Sequence, residues 1–218
     1  MELVQQAIDI FLHLDQHLNE WAIALGPWLY LLLFTIIFCE TGLVALPFLP
    51  GDSLLFAVGA LASTDGSPIS VPVVMVLLIV AAVTGDALNY AIGAYLGPKV
   101  FTRASTRFFK QEHLLRTQEF YVRHGAKTIF LARFVPIVRT FAPFVAGVGS
   151  MPYATFALWN ISGATTWIVS LVLAGYFFGQ IPWVKENFET VVLAIVAISV
   201  LPIVIEWLRS RRPRSAGA

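Results

Sequence analysis

The strongest constraint on the fold of this chain is that two hydrophobic segments, residues 27–62 and 127–150, are interrupted by proline and glycine. The first contains Pro47, Pro50 and Gly51, and it is too long for a single membrane span of about 20 residues. It is also too interrupted for two spans. Irregular backbone at membrane depth is tolerated only where protein encloses it or where it lines a wet cavity. The interrupted backbone is therefore expected to be buried in protein or to line a wet cavity.

The composition predicts an integral membrane protein. Hydrophobic residues make up 58% of the 218 residues and charged residues 12%, whereas soluble domains are nearer half apolar and a quarter charged. The length suits one membrane domain without a separate soluble module. Cys39 is the single cysteine, which excludes an intrachain disulfide and a cysteine-based zinc site. No cofactor, metal or nucleic acid is expected as a partner.

Basic residues are confined to the second part of the chain. No Lys or Arg precedes Lys99, whereas residues 99–127 and 209–214 carry many. The positive-inside rule places both basic regions in the cytoplasm. Their ordinary role is topological, and binding to anionic membrane lipids is a second role. An even number of membrane crossings must then separate the two regions. The C-terminus is predicted to lie in the cytoplasm and the N-terminus outside.

These features together predict an all-α membrane protein with three full transmembrane helices and two opposed re-entrant hairpins that form an inverted repeat, as in many transporters. In chain order the predicted elements are an amphipathic interfacial helix over 1–26, a hairpin over 27–62 that opens to the outside, a span over 70–97, a basic amphipathic cytoplasmic connection over 99–126, a hairpin over 127–150 that opens to the cytoplasm, spans over 153–179 and 188–208, and a basic tail over 210–218. Residues 27–209 form the membrane domain.

The expected hairpin turns share the pattern Pro-Phe-x-x-Gly. It runs from Pro47 to Gly51 in the first segment, with Pro50 between them, and from Pro143 to Gly147 in the second. A match of this length is weak by itself. It gains weight because both matches fall at breaks in oppositely inserted segments.

Four charged residues fall inside these hairpins, namely Glu40, Asp52, Arg133 and Arg139. Each would cost about 2.5–3.5 kcal/mol unpaired at the bilayer centre, or on the order of 10–14 kcal/mol together. Pairing between the acids of one hairpin and the arginines of the other is therefore expected. Such pairs could serve only to hold the hairpins together, but apolar packing often does that as well. A functional role is favoured, because ionisable residues within the membrane usually have one.

The residue types indicate an anionic ligand. The planar fork of Arg133 or Arg139 suits phosphate or carboxylate, and Pro136 could kink the chain so that both point to one ligand. Arg133, Arg139, Asp52 and Glu40 are therefore the predicted binding residues. Asp52 has the alternative role of capping its own helix.

Protons are the second predicted cargo. Glu40 is the strongest candidate for a proton carrier, with Asp52 and Asp86 as further candidates. Two acids and two arginines form a neutral empty site, so that protonation of one carboxylate would offset the charge of a bound phosphate. Asp86 and Asn89 together also indicate that one face of the span over 70–97 turns inward.

Other functions remain open at this stage. His13 and His17 are spaced four residues apart and could bind a metal, but no third ligand is evident, so a wetted interfacial face is favoured. The four histidines of the chain are not beside the hairpin arginines, which argues against a lipid phosphatase, and no enzyme activity is expected. A proton-coupled cation or drug exporter and a membrane scaffold are the alternatives. A homodimer is compatible with the sequence.

Several motifs together resemble a known family. The longest is Phe130-Leu-Ala-Arg133-Phe-Val-Pro136-Ile-Val-Arg139-Thr140, followed by Pro143 and Ala146-Gly147-Val148. The others are Glu40 with Pro50-Gly51-Asp52-Ser53, and Gly85-Asp86 with Tyr90, Gly93 and Gly97. This combination resembles the DedA family of bacterial membrane proteins, which belong with the eukaryotic SNARE-associated Golgi or VTT-domain proteins. The resemblance covers about residues 25–180.

The resemblance implies a multi-pass protein of the bacterial inner membrane. Its family is similar to lipid scramblases and flippases, is implicated in recycling of undecaprenyl phosphate, and is linked to the proton motive force and to tolerance of envelope stress. Glu40 and Asp52 match the essential acids of the family, and Arg133 and Arg139 match its essential arginines.

Overall fold

The computed structural model describes residues 21, 24–43, 51–64, 66–102, 125–188, 190–191 and 193–195. Every regular element within these ranges is helical, and no strand occurs there. Several predicted features lie wholly or mostly outside the described residues. They are the interfacial helix over 1–26 with His13 and His17, the turn residues Pro47 and Pro50, the connection over 99–126, the span over 188–208 and the tail over 210–218.

Among the described helices, two short helices precede each of the two long helices. They are α1 (Trp28–Gly42), α2 (Gly51–Ala62), α3 (Val71–Thr102), α4 (Lys127–Ala132), α5 (Pro136–Val148), α6 (Tyr153–Phe178) and α7 (Pro182–Glu186). Within the described residues, two helices are long and apolar enough to cross a membrane, Val71–Gly97 of α3 and all of α6. Both agree closely with the predicted spans over 70–97 and 153–179. The helix of α3 itself continues to Thr102, because Gly97 is buried against Val148 of α5 and this packing supports the helix beyond its predicted end.

Each hydrophobic segment with an internal break forms two short helices. We call α1 with α2 the first broken pair and α4 with α5 the second broken pair. In the first, α1 ends at Gly42 and Leu43 is extended, with φ −108° and ψ 112°. In the second, Val135 is extended, with φ −118° and ψ 105°, and Pro136 begins α5. Proline disfavours a helical residue before it and needs no N–H partner at a helix start, so Pro136 fixes the position of this break.

The predicted turn at Pro143 and Gly147 is wrong. Pro143 lies inside α5, and Gly147 is the penultimate residue of that helix, whereas Gly51 is the first residue of α2. The shared Pro-Phe-x-x-Gly pattern therefore does not mark equivalent positions. A proline inside a helix removes one backbone hydrogen bond. Packing of α5 on α3 offsets this loss, since Gly147 and Gly93 bring the two backbones into close contact.

Each long helix is lined by two short helices placed end to end. Thr41 of α1 and Thr140 of α5 both accept hydrogen bonds from Asn89 of α3, so the end of α1 and the beginning of α5 meet at this residue. On α6, the end of α4 packs at Gly163 and the beginning of α2 lies at Trp167. The first helix of each broken pair thus packs on the long helix that follows it, and the second helix packs on the long helix of the other half.

Two apolar clusters form the core, one for each half of the molecule. The larger cluster joins α1 and α2 to the first half of α3 and the second half of α6. The smaller cluster contains Ile129, Ala132, Ala142, Ala146 and Phe156, with Tyr90 and Trp159 against it. The end of α1, the beginning of α2 and the break at Val135 lie between these clusters, and the buried polar residues lie there as well.

Candidate functional site

A layer of polar side chains separates the two apolar clusters, and we call it the polar layer. It contains Asp52 and Arg139 together with residues that are at least nine-tenths buried: Glu40, Thr41, Ser53, Asp86, Asn89, Arg133, Thr140 and Asn160. Burying polar and charged groups is unfavourable unless they are paired. The pairs that they form are therefore the central feature of the site.

Arg139 connects the two broken pairs. Its Nη1 donates to Asp52 Oδ1 at 2.7 Å, and its Nη2 forms an ion pair with Glu40 Oε1. The Glu40 side chain is 1% exposed and that of Asp52 is 19% exposed, so Asp52 is the more accessible of the two acids. The predicted pairing of acids in the first segment with an arginine in the second is observed at Arg139. Both terminal nitrogens of the guanidinium are engaged by carboxylate oxygens, in the way that they could engage the oxygens of a phosphate.

Arg133 has different partners from those expected. It forms an ion pair with Asp86 of α3, and its Nη2 donates to Asn160 Oδ1 of α6 at 2.7 Å. The Arg133 and Asp86 side chains are each 5% exposed. The reason is its place in the chain. Arg133 follows α4 directly and faces the groove between the two long helices. Arg139 lies further along, on α5, which reaches the first broken pair. Asp86, predicted as a proton carrier, is thus the counter-ion of Arg133.

Trp167 of α6 contacts the ion pairs of Arg139 and of Arg133. Its indole Nε1 donates to Asp52 Oδ1 at 2.9 Å, and this oxygen also accepts from Arg139. The Arg139 Cζ atom lies 4.7 Å from the ring centroid, and the Arg133 Cζ atom lies 5.6 Å from it. Both distances are within the range of cation–π attraction. The two arginines therefore converge on one aromatic ring, while their convergence on one ligand stays a prediction.

Asparagine side chains hold the backbone on both sides of the site. Asn89 Nδ2 donates to the carbonyl oxygens of Thr41 at 3.2 Å and Thr140 at 2.8 Å. These two residues directly follow Glu40 and Arg139, so one amide fixes the chain beside both members of an ion pair. Asn160 Nδ2 donates to the carbonyl oxygen of Val83 at 3.2 Å and so connects α6 with α3.

Gly51 allows the first broken pair to close around Glu40. The carboxylate of Glu40 lies so near the Gly51 Cα that a Cβ atom built there would overlap it. Gly51, predicted as a turn residue, is therefore required for close approach at the beginning of α2. Asp52 follows in the first turn of α2 but directs its carboxylate to Arg139 and Trp167.

Sequence reasoning identified the charged residues and Asn89 but missed Asn160, Trp167 and Thr140. A signal for the first two was present. Asn160, Gly163 and Trp167 are spaced so that they share one face of a helix, and an asparagine within an apolar span indicates a face that turns away from lipid. Thr140 accepts from Asn89 through its backbone carbonyl, and no side-chain pattern could have indicated that.

The comparisons with a family model and with individual proteins agree with each other. The model of the VTT domain matches residues 49–177. Protein DedA of Escherichia coli strain K12 is 50% identical over 218 residues, which cover 100% of both chains. The chain belongs to the DedA family. The resemblance inferred from the motifs is confirmed, and the DedA-family domain includes Asp52, Asp86, Arg133 and Arg139, with Glu40 just before it.

Other members of the DedA family are similar over most of their length. An uncharacterised membrane protein of Mycobacterium tuberculosis is 42% identical over 179 residues, which are 82% of this chain and 78% of that protein. The inner membrane protein YqjA of Escherichia coli is 32% identical over 177 residues, which are 81% of this chain and 78% of YqjA. No solved structure matches the chain significantly. Membership of the DedA family and the two long apolar helices make this chain a membrane protein.

Proposed function

We propose that this chain is a flippase that moves an anionic lipid phosphate across the inner membrane, coupled to protons, and that undecaprenyl phosphate is its substrate. The single observation that supports this most directly is Arg139, whose guanidinium is held by Glu40 and Asp52 where the two broken pairs meet. Undecaprenyl phosphate is the substrate that the family resemblance implies. The predicted absence of enzyme activity is part of this proposal.

Arg139 is the group in the site that is suited to exchange partners. A phosphate presents oxygens that match the guanidinium fork in the same way as carboxylates do. Arg133, in contrast, is enclosed by Asp86 and Asn160 at a depth that leaves 5% of its side chain exposed. We therefore assign phosphate binding to Arg139 and a supporting positive charge to Arg133.

Proton coupling is supported by the charges of the polar layer. The polar layer contains three carboxylates and two guanidinium groups, so its net charge is minus one when all five are ionised. The carboxylates are those of Glu40, Asp52 and Asp86, and the guanidinium groups are those of Arg133 and Arg139. A phosphate that takes Arg139 from its carboxylates would add to this excess. Protonation of a carboxylate both releases Arg139 and offsets the added charge, so that anion binding and proton uptake should be linked.

The arrangement of the helices supports a path from either side. We assign the two broken pairs to opposed re-entrant hairpins, the first open to the outside and the second to the cytoplasm, with the N-terminus outside and the C-terminus in the cytoplasm. Tyr30 near the beginning of α1 is hydrogen-bonded to Ser70 before α3, and Gln180 after α6 is hydrogen-bonded to Ser63 after α2. Both outer ends of the first pair are thus connected to ends of the long helices, while its inner ends reach the polar layer.

Reconstituted liposomes containing undecaprenyl phosphate test the proposal. The measured quantity is the fraction of phosphate accessible in the outer leaflet over time, with and without an imposed pH gradient. Wild-type protein should equilibrate the two leaflets, and a gradient should change the rate. Arg139→Lys, which keeps the charge but loses the fork, and Glu40→Gln should each lower the rate by at least about tenfold.

Lys127→Gln is the matched control, because it removes an exposed cation from α4 and should leave the rate unchanged. Wild-type protein that does not accelerate the exchange of undecaprenyl phosphate would refute the flippase. A rate that is the same with and without the gradient would refute the coupling to protons.

A proton-coupled exporter of cations or drugs is the second candidate. It is favoured by the same net negative charge in the polar layer. An exporter should remove a cationic dye from liposomes, and Arg139→Lys should affect that activity little. A scaffold, by contrast, should tolerate an exchange of Glu40 and Arg139, which a transport site should not. Binding of anionic lipids to the basic regions and formation of a homodimer stay predictions.

A further inference from the structure

Trp167 contacts both members of the Asp52–Arg139 pair, the carboxylate through its indole N–H and the guanidinium through its ring face. Its indole N–H donates to Asp52 Oδ1 at 2.9 Å, and its ring face lies 4.7 Å from Arg139 Cζ. The residue is 3% exposed and belongs to α6, whereas the pair that it contacts is formed by α2 and α5.

We propose that Trp167 is a positioning residue that holds Asp52 and Arg139 in place while a phosphate separates them. This inference rests on the proposed function, because it concerns the step in which the substrate displaces a carboxylate from Arg139. When the ion pair opens, the carboxylate of Asp52 keeps the indole N–H as a donor. The guanidinium keeps its position over the ring by cation–π attraction. Trp167 thereby stabilises both the Asp52 carboxylate and the Arg139 guanidinium after they separate.

The consequence concerns which carboxylate takes up a proton. Asp52 retains a donor after Arg139 leaves, so it can remain ionised. Glu40 loses its arginine partner and is 1% exposed, so its burial favours the protonated form more than at Asp52, which is 19% exposed. Binding of phosphate by the wild-type protein should therefore take up about one proton. Removal of the indole N–H should favour protonation of Asp52 as well, because an ionised carboxylate then has one donor fewer.

The charged and titratable groups around Asp52 allow this assignment. Glu40 faces Asp52 from α1, and Arg139 faces it from α5. Arg133 contacts the ring of Trp167. Asp86 of α3 is paired with Arg133. Helix α6, on which α2 packs, carries no Asp, Glu, Lys, Arg or His, and its tyrosines, Tyr153 and Tyr176, are remote from Trp167 in the sequence.

Binding of decyl phosphate to the purified full-length protein in detergent tests the inference, with decanol as the uncharged comparison. Calorimetry in buffers of different ionisation enthalpy gives both the affinity and the number of protons taken up. The variants are Trp167→Phe, which keeps a ring and loses the N–H, and Trp167→Leu, which loses both. Trp183→Phe is the matched control, because Trp183 is 60% exposed on α7.

Trp167→Phe should bind decyl phosphate about tenfold more weakly near pH 8. The lost hydrogen bond matters less in the free protein, where Asp52 also accepts from Arg139, than in the bound state, where Arg139 has left it. The ratio to wild-type affinity should approach one as the pH falls, because protonated Asp52 no longer needs the donor. The ratio is unaffected by titration of the ligand, which is common to both proteins. Proton uptake should rise from about one toward two. Trp167→Leu should bind more weakly at every pH, because Arg139 also loses its platform.

Loss of packing alone would lower thermal stability without making the affinity ratio depend on pH. A ratio for Trp167→Phe that is constant with pH, or equal to that of Trp183→Phe, would therefore overturn the inference and leave the proposed function intact. Failure of the wild-type protein to bind decyl phosphate more tightly than decanol would overturn the proposed function and this inference with it.

Discussion

The ion pair between Asp86 and Arg133 is expected to stabilise the fold, and Asp86→Asn measures how much. Both side chains are 5% exposed, so removal of one charge leaves the other buried without a counter-ion. Breaking such a pair costs about 3–5 kcal/mol. Asparagine keeps the size of the residue and one acceptor oxygen, so we expect a loss near the lower end, about 3 kcal/mol. The melting temperature should then fall by roughly 6–12 °C for a chain of this size.

A double-mutant cycle separates the pair from its surroundings. Arg133→Gln should also destabilise, and the double variant Asp86→Asn with Arg133→Gln should lose at least about 2 kcal/mol less than the two single losses together. The measurement is thermal or denaturant unfolding of the purified protein in one detergent, with Lys127→Gln as the control that should stay within about 0.5 kcal/mol of wild type. Additive single losses, or an Asp86→Asn variant as stable as the control, would refute the assignment of Arg133 as a fixed charge.

Three further predictions follow from local geometry. Gly51→Ala should abolish flipping of undecaprenyl phosphate in liposomes, because its Cβ overlaps the Glu40 carboxylate, and retained flipping would contradict this. Asn89→Leu should lower the free energy of unfolding by about 2–4 kcal/mol, since the carbonyls of Thr41 and Thr140 lose their buried donor. Ser150→Gly should raise it by up to about 1 kcal/mol in denaturant unfolding, because Ser150 has a φ of 56°.

Features that depend on local sequence were predictable. The long apolar stretches predicted the spans now seen as Val71–Gly97 and α6. The break in the second hydrophobic segment could also have been located, because Pro136 restricts Val135 directly before it. The prediction named Pro136 as a kink but placed the hairpin turn at Pro143, since a proline in an apolar run looks equally disruptive wherever it lies. Its tolerance within α5 comes from packing on α3, which sequence spacing does not reveal.

Partner choice in the polar layer was predictable only in part. The cost of buried charge requires pairs, and the sequence supplied the acids and the arginines. Which acid meets which arginine depends on how the short helices are placed along the long ones. Arg139 reaches Glu40 and Asp52 because α1 and α5 meet end to end at Asn89 of α3. Trp167 enters the site from α6 through the same arrangement, far from any charged residue in the sequence.

The partner assignment changes the charge balance on which proton coupling was predicted. With Glu40 and Asp52 set against two arginines, the empty site is neutral. In the structure Arg133 is neutralised by Asp86, so Arg139 alone faces both carboxylates and one negative charge is in excess. An excess carboxylate in a low-dielectric layer favours proton uptake even before a phosphate arrives. A phosphate that takes Arg139 strengthens this tendency, and the indole of Trp167 supports Asp52 but not Glu40. On the proposed function, this asymmetry makes Glu40, rather than either aspartate, the group that carries the proton.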